Sequence, residues 1–531
     1  MSADRYVYLV EVRPVDASGT EQPQYWSAGQ GDDPQPYGGL EFVNCLKSGS
    51  DDGGIFSYAA EIPLDATVGG RSQIGYGTLR LDMRFLDDFA LSALVALRWD
   101  GRAVRIWRVR EGGAWSLSVT PLFRGTVDVP TWGVTEATVP LFDRARELDT
   151  PWQATTYAGT GTYEGQTDIA GQQKPKLLGR VRNCEPVPLD HAVPAAGSDP
   201  YSRVAQINDG PITESFFNAY ERGVAFHTVR PVSDVYAWTP VGGEVAVDFT
   251  RGVIRYGSAP VGVVTCDAAA DEVSATHVGM MVQALLKTEA FGPTDFDTVA
   301  LAALDGTYPT QAGIYVRDDR TTAEVLDILA ASIGAAWSFT TAGLFTARRI
   351  GFRVAIDVLT VDDMLTDPRV VPLPLPVWRY RYGYEPCERV FTDSDFGAAQ
   401  VLPSLRSFMT AAFRYGPSED ATVKTNHPLA REAEVQGRFL DQSPAVTEGG
   451  RQSRLVAQDR QQYVFSVRRA FGSINAGDTV TWSYPGFGLD AGADFLVRAA
   501  SQTPSLLPDE DEIELTLWGP FLPTEDVRVS P

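Results

Sequence analysis

The residues best suited to acid–base or metal chemistry are spread thinly along this chain. The four histidines are His191, His227, His277 and His427, and no two stand four apart as the ligands of a zinc-binding helix would. Three fall in predicted loops and His277 at a predicted helix start, so polar surface or capping positions are expected. No GxSxG elbow supplies a serine nucleophile, and neither a GxxxxGK[ST] loop nor a strand-linked GxGxxG cradles phosphate. The acidic pairs Asp51-Asp52, Asp87-Asp88 and Asp362-Asp363 have the chemistry of glycoside hydrolysis or calcium binding. Among 68 acidic residues, however, adjacent pairs arise by chance, and solvated faces are expected. Cys45, Cys184, Cys266 and Cys387 form no CxxC, so four reduced, buried thiols are expected. No catalytic residue, metal ligand or cofactor is therefore assigned, and the chain is read as a non-enzyme.

One stretch has chemistry of another kind. "GQQKPKLLGRVRNCEPVPLD" (171–190) holds Lys174, Lys176, Arg180 and Arg182 within nine residues, in a chain with only five lysines. Its prolines and glycines predict an extended edge, along which alternate side chains point the same way. The four cations are therefore candidates for a ribbon that docks on an acidic neighbouring subunit. A solvated edge strand guarded by its charge is the alternative.

The wider charge balance is acidic. With 45 basic and 68 acidic residues the net charge is −23, which argues against electrostatic binding to nucleic acid. Tryptophans 99, 107, 115, 132 and 152 suit a sugar platform or, more commonly in β domains, core packing. The N-terminal "MSADRYVYLVEVRPVD" lacks the pattern of a signal peptide, and no apolar run is long enough to span a membrane.

The elements that must position these residues are mainly strands. At 531 residues the chain is too long for one core. Tyr6–Val12, "GTLRLDMRF", "AVRIWRV", "LFRGTVDV" and "TEATVPLFD" read as strands of a β domain over 1–155. A β-rich domain carrying the ribbon follows over 156–270. Its clearest signal is the antiparallel run through "GGEVAVDFTRGVIRYGSAPVGVVTCDA" (242–268). Over 271–372 the period changes to helical. "TTAEVLDILAASIG" carries a capping box at Thr321–Glu324 and a stop at Gly334, and a hairpin follows, giving a small α+β domain. Strands return over 373–531. A weak echo joins the ends. "GRAVRIW", "PLFRGTVDVPTW" and "EATVPLFD" have the same pattern as "GDTVTWS", "DFLVRAASQTPS" and "IELTLWG".

The order of these signals resembles a family of tail tip or baseplate hub (distal tail) proteins of long-tailed bacteriophages and related gene-transfer particles. It is carried by "GTLRLDMRFLDDF", "RWDGRAVRIW", "LFDRARELDTPWQ", "KPKLLGRVRNCEPVPLD", "RVAQINDGPI", "NAYERGVAF", "TTAEVLDILAASIGAAWSFTTAGLFTA" and "AGDTVTWSYPGFGL". Each motif alone is weak, and the order is what resembles the family. The resemblance implies two tail-tube-like β-barrels near the two ends of the chain. It implies a structural virion protein at the distal end of the tail, made in the host cytoplasm, with DNA passing without specific binding. The implied partners are a distal tail ring, a tape measure and tip or fibre proteins. A homotrimer is implied, with a hexameric distal ring or a receptor- or carbohydrate-binding tip protein as alternatives.

Overall fold

The computed structural model describes residues 6–28, 36–47, 55–85, 88–111, 113–190, 203–270, 275–288, 290–397, 401–416, 419–505 and 511–520. His191, Asp51, Asp52, Asp87 and residues 29–35 of the predicted loop lie outside them. The described chain is mainly β, in several sheets.

The N-terminal sheet has nine strands. Tyr6–Val12 lies between Gln24–Ala28 and Arg102–Arg110, antiparallel to both. Its alternation divides two cores. Tyr8, Val10 and Val12 face Trp26, Leu79, Phe123 and Val139 inside the curved sheet. Val7 and Leu9 face Phe42, Trp107 and Trp115 outside it. The sheet continues from Arg102–Arg110 through Phe123–Val127 and Glu136–Phe142 to Thr78–Asp82. Its two ends are Val43–Asn44 and Leu46–Lys47, with Cys45 alone between them. One chain segment thus reaches both edges, and the sheet curls nearly shut. Tryptophans 99, 107, 115 and 152 are buried, and Trp99 stacks on Trp26 at 6.0 Å. Their place is core packing, where each such side chain contributes about 1.5–3 kcal/mol.

The C-terminal sheet runs Asp357–Leu359, Thr479–Trp482, Ala493–Thr503, Glu512–Pro520, Arg460–Arg468, Arg369–Val371. Two of these strands precede residue 373, so the expected boundary at 372/373 cuts through a sheet. Between them and the rest, residues 377–456 make an excursion into the middle of the molecule. There Val377–Tyr384 pairs with Arg431–Gln436 and Arg414–Gly416, covered by the helix Gln442–Val456. No local signal in the sequence predicts that helix. Its Pro444 sits in the tolerant first turn. Its Gly449 is needed because a Cβ there would stand 2.7 Å from Tyr382.

The two end sheets are welded. Tyr58–Glu61, from the N-terminal half, pairs with Ala499–Gln502 of the C-terminal strand Ala493–Thr503. Asp511 completes the join. It accepts from Arg108 at 2.6 Å, from the Ser505 amide at 2.8 Å and from the Phe471 amide at 2.9 Å. The largest core likewise takes Leu64, Leu148, Leu178, Leu329, Phe439 and Trp518 from all four expected domains.

In the middle, the helix Thr322–Ser332 has the expected capping box at Thr321 and Glu324, and Gly334 follows it at φ +54°. The expected hairpin is Ala335–Phe339 with Phe345–Arg349. The run over 242–268 divides. Glu244–Asp248 and Val253–Tyr256 pair, but Val264–Ala270 crosses to another sheet, between Asn218–Glu221 and Lys176–Cys184.

Candidate functional site

The ribbon folds as the strand Lys176–Cys184, and it is not at an edge. It pairs with Val264–Ala270 on one side and Gly313–Val316 on the other. The physical reason is glycine. Gly179 lies opposite Gly313, and a Cβ on Gly179 would stand 2.1 Å from the Ala312 carbonyl. With φ at +67° besides, only glycine permits this approach. Two cores then claim the backbone: Leu178 joins the central one, while Leu177, Val181 and Cys184 join a second. The ribbon's start is pinned by "RVAQINDGPI": the Asn208 side chain accepts from the Leu177 amide at 2.8 Å, and the Asp209 amide donates to the Pro175 carbonyl at 2.7 Å.

The four cations do not form a row facing outward. Lys174 is buried, 2.7 Å from Glu164 and over the Tyr157 ring. Its hydrogen bond holds the Glu164 carboxyl below the usual carboxylate range. Lys176 is half-buried with Nζ 4.9 Å from the centre of Trp152. Arg180, also half-buried, lies 4.9 Å over Phe216. Arg182 pairs with Glu385, lies 3.9 Å from Asp267 and stacks 4.0 Å over Phe408. Burial pushes the Asp267 carboxyl up, against the lowering effect of the Asn183 amide and Arg182. The ribbon's cations therefore engage four separate parts of the same chain.

Its C-terminal end is equally committed. Asn183 adopts φ +56° at a break in the register, a conformation asparagine tolerates. Its amide donates to Asp267 at 2.9 Å and its side chain reaches Cys387 and the Arg389 carbonyl. Cys184 lies opposite Cys266 in the register, so three of the four cysteines gather near this end while Cys45 lies in the N-terminal sheet. All four are free and buried. Beside Arg182 opens a cleft of about 710 Å³ lined by Tyr220, Glu385, Leu402, Phe408 and Arg414.

His277 departs from expectation. It is the first residue of the helix His277–Leu286, but Thr276 caps that helix, and the imidazole is fully buried against Phe439. Its Nε2 lies 2.8 Å from Ser332 Oγ. Burial, with Arg438 adding to it, pushes the imidazole down to about 3, so it is neutral. The pair has no solvent access and Nδ1 has no partner, which leaves it without the elements of a nucleophilic dyad.

No protein-family model and no curated protein matches the chain. Solved structures similar to it are phage tail proteins and related particles. The tail protein from Neisseria meningitidis is 10% identical, covering 96% of each chain, with a TM-score of 0.37. The prophage MuSo2 43 kDa tail protein from Shewanella oneidensis is 9% identical over 96% of this chain and 98% of that one, with a TM-score of 0.34. A chain of the native gene transfer agent virion is 14% identical over 67% of this chain and 87% of that one, with a TM-score of 0.39.

Proposed function

We propose that this chain is a structural protein of a phage-type tail, a hub that joins the tail tube to the tip and helps form the channel for DNA. The observation that carries the reading is the repetition of one strand order at both ends of the chain. Arg102–Arg110, Phe123–Val127 and Glu136–Phe142 make an antiparallel meander, and so do Thr479–Trp482, Ala493–Thr503 and Glu512–Pro520. A strand preceding each meander in sequence then pairs with its last member: Thr78–Asp82 in the first, Arg460–Arg468 in the second. Two similar sheets welded in one chain let three copies present six to a sixfold tube. A net charge of −23 suits a wall past which DNA slides without sticking. The sugar-binding reading is weakened, because four of the five N-terminal tryptophans it relies on are buried. Within the hub reading, two of the ribbon's cations, Lys174 and Arg182, are tied to carboxylates of their own chain.

The test is a symmetry-resolved cryo-EM map of the tail end of the particle that carries this chain. Threefold density with two sheets per copy continuing the tube is expected. Sixfold density makes the chain a distal ring, and absence from the particle overturns the reading.

A further inference from the structure

A second concentration of positive charge lies away from the ribbon. A cleft of about 840 Å³ is walled by the helix Thr298–Thr307, the strand end at Arg348 and Arg349 with the turn to Arg353, and the last turn of the helix Gln442–Val456. Six arginines line it: Arg348, Arg349, Arg353, Arg451, Arg454 and Arg460. Fifteen per cent of the chain's 40 arginines thus meet in one cavity of a protein whose net charge is −23.

The carboxylates at hand do not match them. Glu448 holds Arg451 at 2.5 Å and lies 3.8 Å from Arg349, while also accepting from Tyr308. Asp478 lies 3.6 Å from Arg348. Asp297, the acidic residue on the lining, is occupied by the Ala300 amide and the Thr346 hydroxyl. Arg353, Arg454 and Arg460 form no ion pair among the described residues. Arg460 lies over Phe352 and Trp518 with its Nε buried and without a hydrogen-bond partner, and Arg349 Nε is in the same condition. Burial lowers the Arg460 pKa with no anion to offset it. Buried guanidinium donors are costly unless an acceptor meets them.

We propose that this cleft is a binding site for an acidic segment of another polypeptide, whose carboxylates pair with Arg353, Arg454 and Arg460. The apolar lining favours a polypeptide over a nucleic acid. Val299 is 80% exposed and Phe352 37% exposed on the cleft wall, and Val354 beside it is 90% exposed. Arginine and aromatic residues beside aliphatic ones are the composition of protein interfaces. A duplex would instead find apolar surface where its phosphates need donors. The site does not depend on the tail reading, because its argument rests on the cleft's own charge and apolar lining.

The experiment uses the full chain and a fluorescein-labelled eight-residue peptide alternating glutamate and alanine, read by anisotropy. Binding that weakens severalfold as salt rises from about 50 to about 300 mM is expected. The glutamine version of the peptide should lose it. Arg454→Glu is expected to weaken binding at least about tenfold while lowering the thermal midpoint only slightly, because Arg454 is exposed and its loss costs the helix only a dipole contact in its last turn. Arg460→Gln, with its stacking partners left in place, should weaken it less. Absence of binding, or equal binding by Arg454→Glu, overturns the proposal. So does an eight-nucleotide single strand that binds more tightly than the peptide and displaces it, which would assign the cleft to nucleic acid.

Discussion

The sheets at the two ends of the chain share a strand order but end differently. In the N-terminal one the meander meets the seven-residue strand Tyr6–Val12, antiparallel, and the far edges are separated by Cys45 alone. That sheet nearly closes on itself and both faces of its first strand are buried. In the C-terminal one the meander meets the three-residue strand Asp357–Leu359, parallel, and the opposite edge is Arg369–Val371. Tyr58–Glu61, from the N-terminal half of the chain, pairs with its inner strand Ala493–Thr503 and with neither edge. Ile356 and Val358 remain 53% and 59% exposed along the Asp357–Leu359 edge. A closed sheet needs no partner, whereas an open apolar edge invites one. The difference teaches that the same meander serves as a self-sufficient core at one end and as an incomplete one at the other, which in a hub neighbouring copies would complete.

The largest effect is expected at the weld. Asp511→Ala leaves the mostly buried Arg108 without its carboxylate and two amides without an acceptor, which costs about 3 kcal/mol. Calorimetry should show the main transition falling and splitting as the two sheets lose their coupling. The double variant Arg108→Met, Asp511→Leu should recover much of the loss, because no buried charge then stands alone. A single unchanged transition in Asp511→Ala would mean the sheets are not coupled through this residue.

Next comes the body between the sheets. Gly179→Val places a side chain against the Ala312 carbonyl at positive φ, with an expected cost of about 2–3 kcal/mol in chemical denaturation. Acid should act on the same body through His277. Its imidazole titrates near 6.5 when unfolded and near 3 when folded, so the folded state binds fewer protons between those values. The stability it contributes is complete above about pH 6.5 and declines by about 1.4 kcal/mol per pH unit as pH falls towards 3. His277→Gln should flatten that part of the stability–pH profile; an unchanged slope would assign it to other groups.

The smallest effect on the isolated chain sharpens the contrast most. Val358→Thr and Ile356→Thr lie on the open edge and should change stability by less than about 0.5 kcal/mol. Incorporation into particles should nevertheless fall. Normal incorporation would remove the open edge from the assembly argument.

Local signals were legible where neighbouring residues alone decide the structure. Thr321 and Glu324 lie within one helical turn, so their capping box depends on nothing distant. The strands of both meanders could be read because one face of each must be apolar. The helix Gln442–Val456 could not, since Pro444, Gly449 and Gly450 speak against it and only Tyr382 explains Gly449. Val264–Ala270 continues an apparent hairpin run, yet its pairing is chosen by the strands waiting on either side. The arginine cleft was invisible because its arginines come from two separate stretches, Arg348 to Arg353 and Arg451 to Arg460, which only folding brings together.

The ribbon divides the two kinds of knowledge most clearly. Its extended form and its basic character follow from the sequence by itself, because the extended bias of its prolines and its charge are properties of the residues. Where those charges go was decided by tertiary structure alone. Glu164 lies ten residues from Lys174, but Glu385 lies about two hundred from Arg182, and no local pattern announces an ion pair closed over that distance. Folding brings the two together because both cores that grip the strand must exclude water at once, and the cations at its margins then take whichever carboxylates and rings that packing leaves beside them.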